Sequence, residues 1–193
     1  MDQPPGSATR QRIVDAATVL FLTRGYGGTS TRDIAAAVGI KQPSLYAHFA
    51  VKSDLLLEVL LHALRPSLEE SARLQADPTL SAVERLSALV SFDVRLLCSG
   101  AANRGLLAYL PEVRATGVAA QLASHQKVLH DAYRVLVAEV LAERRLDGDA
   151  DRLTTSVFAL VEGTVLRRVV DPELDPDATA AEVAAGALRL IGG

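Results

Sequence analysis

The stretch from Ser30 to Phe49 constrains the fold more than any other part of the sequence. Ser30 followed three residues later by Asp33 spells a capping box, in which each side chain satisfies a free amide at the start of a helix. The helix it opens, about two turns long, buries Ile34, Ala35 and Val38. Gly39 then supplies the left-handed backbone conformation that ends a helix and turns the chain sharply, with Ile40 placed to plug the corner. Gln42-Pro43 restarts a helix, because proline in the first turn has a preset φ and lacks only an amide that would be unpaired there. Leu45 and Phe49 face inward at i, i+4, which leaves Gln42, Ser44, Tyr46 and His48 projecting. A short helix, a glycine turn and a second helix that presents hydrogen-bonding side chains form a helix-turn-helix, whose second helix fits the major groove of duplex DNA.

Helical spacing recurs along the rest of the chain while strand signals are nearly absent, so the expected class is all-α with about nine helices. Ile13, Ala16, Ala17, Leu20 and Phe21 stripe a first helix, with Ser7 or Thr9 as its expected cap and Gly25, Gly27 and Gly28 at its end. Pro66 and Gln75-Ala76-Asp77-Pro78 interrupt the pattern, which places the end of the fourth helix at Leu64. Further helices are expected from Leu80 to Ser99, around Asn103 to Leu110, and over Val118 to Arg145, Asp151 to Val170 and Thr179 to Ile191. The organisation predicted is a DNA-binding domain over 1–51 and a larger helical bundle over 52–193.

Charge supports that division. The net charge of −3 is an average over residues 1–55, which carry six basic and four acidic side chains, and an acidic remainder. A polyanion should therefore meet the N-terminal quarter, and association of two copies doubles that local charge. The lone Cys98 has no partner for an internal bridge, the N-terminus has neither the cationic start nor the apolar stretch of a secretory signal, and Glu58 and His62 break the richest apolar run, Leu55 to Leu64. These features predict a cytoplasmic protein that uses no membrane.

Enzymatic chemistry is not expected, because no glycine-rich phosphate loop, nucleophile elbow or supporting triad pattern is present. No cofactor is expected either. His62, His125 and His130 lack the spacing of metal ligands, so no metal site is predicted.

Between Thr9 and Leu56 the sequence resembles the tetracycline-repressor family of bacterial transcription regulators. The residues that carry the resemblance are Arg12-Ile13-Val14-Asp15-Ala16-Ala17, Gly25-Tyr26, Thr29 ahead of Arg32-Asp33-Ile34-Ala35, Gly39-Ile40, Leu45-Tyr46-Ala47-His48-Phe49 and Lys52. Ala50-Val51 departs from the family's usual proline or glycine followed by a capping residue, which leaves Ser53 as the expected cap of the fourth helix. The resemblance implies a homodimer, a double-stranded DNA operator and a small-molecule effector held by the C-terminal domain. Carried over residue by residue, it assigns phosphate contacts to Thr29, Thr31, Tyr46 and Lys52 and base contacts to Gln42, Pro43 and Ser44. Lys41 would reach guanine or phosphate, and His48 either kind of partner.

In the larger domain the expected effector contacts are Phe92, Asp93, Asn103, Arg104, Tyr109, Leu122, His125 and Val161. Asp93 falls between Val90 and Leu97 on its helix, so burial requires a partner, with Arg95, Arg104 and His125 the candidates, or a polar cavity. His125 shares a helical face with Val118, Leu122, Leu129 and Leu136, which makes it either a core histidine or a pocket residue. Few aromatics occur beyond residue 50, so the predicted effector is mainly aliphatic or alicyclic with one or two hydrogen-bonding groups. The stripe Ala180, Val183, Ala184, Ala187, Leu188 and Ile191, with Gly163 and Gly186, suggests dimerisation through the last two helices. The alternative from another class is a helical dimer that sequesters a small molecule without reading an operator.

Overall fold

The computed structural model describes residues 5–99, 107, 110–111, 113 and 116–192. Among them eight helices and no strand occur: α1 (Pro5–Arg24), α2 (Thr31–Val38), α3 (Gln42–Tyr46), α4 (Lys52–Gln75), α5 (Ala82–Cys98), α6 (Val118–Arg144), α7 (Ala150–Val170) and α8 (Pro176–Gly192). Of the helix expected around Asn103 to Leu110, Asn103, Arg104 and Tyr109 lie outside the described residues.

The described residues group into two compact units, one of residues up to 63 with those between 107 and 123, the other of residues 64–99 and 124–192. That division falls inside α4, whereas charge and composition place a boundary at its first residue.

In the first unit Ile13, Val14, Ala17 and Phe21 of α1, Ile34, Ala35 and Val38 of α2, Leu45 of α3 and Leu55, Leu56 and Val59 of α4 are buried. Full burial of side chains of this size contributes about 1.5–3 kcal/mol each before chain entropy is counted. Polar tethers fix the angles between helices. Arg12 donates to the Val38 carbonyl at 2.7 Å, placing a cation at the C-terminal end of α2. Arg10 pairs with Glu58 at 2.8 Å, and its guanidinium lies 4.7 Å from the centre of the Phe49 ring. The start of α1 corrects one expectation: Ser7 and Thr9 sit inside the helix, which begins at Pro5, a residue suited to a first turn.

In the second unit the core joins Leu86, Leu89, Val90 and Val94 of α5 to Tyr133, Leu136, Val137 and Val140 of α6, Val157 and Val161 of α7, and Ala180, Val183, Ala184, Ala187 and Ile191 of α8. The α8 stripe of small residues therefore packs inside its own unit, against α5 and α7, rather than lying open for a second copy. Small side chains there let the helices approach closely. Each helix start is held by a short polar side chain: Ser81 and Glu84 form a capping box on α5, Asp149 accepts from Asp151 and Arg152 at α7, and Asp175 accepts from Ala178 at α8. The α5 start is also tied to α6, because Glu143 accepts from the Ala82 amide at 2.6 Å. The fourth helix does not stop at Leu64 but continues through Pro66 to Gln75. Proline removes one backbone bond, to the His62 carbonyl, and burial of Ser67, Ser71 and Leu74 beyond it keeps the helix folded.

Candidate nucleic-acid interface

Residues 29–52 fold as their chemistry dictates. The Ser30 hydroxyl accepts from the Asp33 amide at 3.1 Å, and the Asp33 carboxylate accepts from the Ser30 amide at 2.8 Å. The Ser30 hydroxyl and the Ser30 amide, both bonded to the carboxylate, hold the Asp33 carboxyl below the usual carboxylate range. At the other end of α2, Gly39 adopts φ +75° with its amide directed to Ala36 and the Ile40 amide directed to Ala35, which satisfies two terminal carbonyls. Nothing lies within 4 Å of a Cβ added at Gly39, so the requirement for glycine is one of backbone conformation rather than space. Lys41 starts α3 in extended conformation, with Pro43 in the first turn. The helix is shorter than the sequence suggests. It ends at Tyr46, and half-buried His48 falls in the turn that follows.

Leu45 and Phe49 anchor this segment from beneath, leaving Lys41, Pro43, Ser44 and Tyr46 exposed and Gln42 half-buried. A polar cluster links the two helices: the Gln42 amide donates to the Thr31 hydroxyl at 2.8 Å, and that hydroxyl lies 3.2 Å from the Tyr46 hydroxyl. Three residues assigned separately to DNA are thus brought together on one surface. The Gln42 carbonyl oxygen and second N–H remain in that cluster as groups able to meet a base edge.

Two other expected contacts have structural work. Thr29 is buried and its hydroxyl donates to the carbonyls of Leu20 at 3.1 Å and Gly25 at 2.9 Å, closing the end of α1. Lys52 donates to the Tyr26 carbonyl at 2.6 Å, and its ammonium sits 3.9 Å from the centre of the Tyr26 ring. Partial burial pushes the Lys52 pKa down. Tyr26 in turn packs against Phe21, with ring centres 5.2 Å apart. Sequence reasoning missed Asp54. Its carboxylate accepts from the Val51 amide at 3.3 Å and holds the start of α4 that Ser53 was expected to cap. The signal was available, since Val51 and Asp54 have the spacing of half a capping box.

In the second unit Phe92 lines an open groove along α5 with Glu70, Ser87, Ser91 and Leu188. His125 is exposed rather than seated in an apolar seam, because the α6 face that enters the core runs through Leu129, Tyr133 and Leu136. Asp93 is buried, and its partner is Tyr133, whose hydroxyl donates to Oδ2 at 2.6 Å, rather than His125 or Arg95. Arg95 instead pairs with Asp177 at 2.6 Å. Leu122 and Val161 are both buried. Among the described residues no helix is long and apolar enough to cross a membrane, and no group of three or more His, Cys, Asp and Glu side chains could hold a metal ion.

Comparison with known proteins agrees with this geometry. Residues 13–59 match the model of bacterial regulatory proteins, tetR family. The HTH-type transcriptional repressor KstR2 of Mycobacterium tuberculosis is 36% identical over 91 residues, which are 46% of this chain and 45% of the relative. The chain thus spans less than half the length of the curated relatives matched first. Over the full length, the crystal structure of AmtR from Mycobacterium smegmatis shows 39% identity and a TM-score of 0.78, covering 100% of this chain and 90% of that one. A transcriptional regulator of the TetR/AcrR family from Thermobifida fusca shows 27% identity and a TM-score of 0.74, covering 96% and 98%. With its helix-turn-helix and this likeness over the whole chain, the protein belongs to the TetR family of bacterial regulatory proteins.

Proposed function

We propose that the protein is a ligand-responsive transcriptional repressor that binds a palindromic operator as a homodimer and is released by a small, mainly apolar molecule. The observation that carries this reading is the exposed row Lys41, Pro43, Ser44 and Tyr46, with Gln42 held beside it by Thr31, on a two-helix frame capped at both ends. Gln42 and Ser44 read base edges, Pro43 lies against them, and Lys41, Thr31 and Tyr46 contact phosphates. Lys52 reaches a phosphate with the donors its bond to Tyr26 leaves over. Thr29 serves this surface from beneath, by fixing the end of α1.

Dimerisation uses the faces of the last two helices that the core leaves uncovered. Leu166, Val169 and Val170 of α7 recur along one side at i, i+3 and i+4, and Leu160 of α7 and Leu190 of α8 are also exposed. Leu166 is 60% and Val170 87% exposed, which is costly for apolar groups unless a second copy covers them. Gly163 has open space at its Cβ position, which permits close helix approach there. A two-fold pair of such subunits places two recognition helices on half-sites about one helical turn apart or a multiple of it.

Selection of duplexes from a random pool, followed by footprinting, tests the reading. Two symmetric protected half-sites and release by a small molecule are expected. Recovery of no sequence preference would leave the sequestering dimer as the better account.

A further inference from the structure

An open groove of about 520 Å³ follows α5, walled by Glu70 of α4 and Leu188 of α8. Small-molecule sites have volumes of about 300–1,000 Å³. Along its floor α5 presents Val83, Ser87, Ser91 and Arg95, each one turn beyond the last, with Phe92 beside them. Ser87 and Ser91 are half-buried, and neither hydroxyl has a hydrogen-bond partner among the described residues. A hydroxyl inside a helix is able to bond the carbonyl four residues earlier, and those of Thr18, Thr23, Thr154, Thr155 and Ser156 do so. The two groove serines make no such bond. Arg95 also has donors to spare: Nε donates to Asp177 at 2.6 Å, while the N–H groups of both Nη atoms have no partner among the described residues. Both side chains of that pair are exposed, so it holds the guanidinium weakly. The groove's carboxylates are engaged instead. Glu70 accepts from Arg73 through both oxygens, at 2.8 and 2.6 Å, and Glu84 closes the capping box with Ser81.

The groups left over are a row of donors, with Val83, Phe92 and Leu188 as apolar contacts. A ligand that fits must bring acceptors to that row and hydrocarbon to its sides. The spacing sets its length, because Ser87 and Arg95 stand about 12 Å apart along the axis at about 1.5 Å per residue. An alcohol would leave the guanidinium without a counter-charge, and an amine would be repelled by it. A compact phosphate would satisfy Arg95 but reach neither serine and cover no apolar wall. We propose that this groove binds an aliphatic or alicyclic carboxylic acid that carries a second oxygen, as hydroxyl or carbonyl, towards its far end. The carboxylate lies on Arg95, the far oxygen accepts from Ser87 or Ser91, and the hydrocarbon packs on Phe92 and Leu188. This inference rests on the reading of the bundle as the effector-binding part, and it supplies the effector's chemical class. Arg95 recognises the charge, and the serines select the length.

The test is calorimetric titration of the full-length protein, without DNA, with 8-hydroxyoctanoate, octanoate, octan-1-ol and octylamine. The hydroxy acid should bind more tightly than octanoate, and both acids more tightly than the alcohol or the amine. Arg95→Gln should weaken 8-hydroxyoctanoate about tenfold or more, the worth of a hydrogen bond to a charged group. Ser87→Ala combined with Ser91→Ala should remove the advantage of the hydroxy acid and leave octanoate unchanged. Asp177→Asn releases Arg95 from a competing carboxylate and should tighten both acids about twofold or more, which a merely structural role for Arg95 would not do. Circular dichroism verifies that each variant is folded. No binding of either acid, equal binding of acid and amine, or undiminished binding by Arg95→Gln would overturn the proposal. The repressor reading fails on a separate measurement, equal affinity of the wild-type protein for operator and scrambled DNA.

Discussion

Thr31 sits at the centre of the reading surface, because its hydroxyl holds Gln42 on one side and lies against Tyr46 on the other. Thr31→Val should therefore lower discrimination between the preferred operator and a duplex altered at the position proposed for Gln42, as should Gln42→Ala. The expected loss is about 1–3 kcal/mol at one base pair, checked by competition binding. Lys52→Ala should act otherwise, weakening all duplexes alike and reducing the salt slope by about one if it removes the proposed phosphate contact. If Lys52→Ala instead changed base preference, the division between positioning and reading would be wrong. Asp93 gives a prediction in the absence of DNA. Burial, together with Glu162 and Glu70, pushes its carboxyl up to about 6 from the usual 3.8. Between those values the folded state binds more protons than the unfolded state, so this group's contribution to stability falls as pH rises through that window. Above it Asp93 costs on the order of 2–3 kcal/mol. Asp93→Asn should raise the urea midpoint at pH 7.5, with the advantage shrinking towards pH 4. An unchanged difference across that range would contradict the assigned burial of charge.

At the scale of elements, the helix-turn-helix was legible because its signals are local. Ser30, Asp33, Gly39 and Pro43 each dictate the backbone within a few residues, and the structure follows them. Gly39→Ala should cost about 1–2 kcal/mol through the left-handed φ and weaken DNA binding by misplacing α3, which chemical denaturation beside a binding titration would show. What depends on tertiary packing was less legible. Periodicity shows that the stripe Ala180 to Ile191 is apolar but not what covers it, and α5 and α7 of the same chain do. The same holds for His125, which is exposed although Leu122 and Leu129 beside it on the helix are buried. Pro66 reads as a stop in isolation, yet buried Leu74 beyond it outweighs one missing bond. The consequence for association is a change of probe. A Cβ at Gly186 would meet Leu160 of the same chain at 3.7 Å, so Gly186→Leu tests packing within the subunit. Leu166→Glu, at an exposed site, should instead give folded monomers by light scattering with loss of operator binding. A persistent dimer would place the interface elsewhere.

For the whole molecule, the separation of charge was readable as soon as the chain was divided: cations gather where the reading head lies, and the acidic remainder carries the bundle. A repressor needs an effector that binds the DNA-incompetent state more tightly, because only differential affinity shifts the balance between states. The reading head is the part on which every other claim depends. Its most direct test is the affinity of the wild-type protein for a selected operator and for a scrambled duplex of equal length at one fixed salt concentration, measured by fluorescence anisotropy. The account predicts preference for the operator by a factor of about 10³ or more, with two-fold symmetric half-sites. Equal affinity for the two duplexes would contradict it.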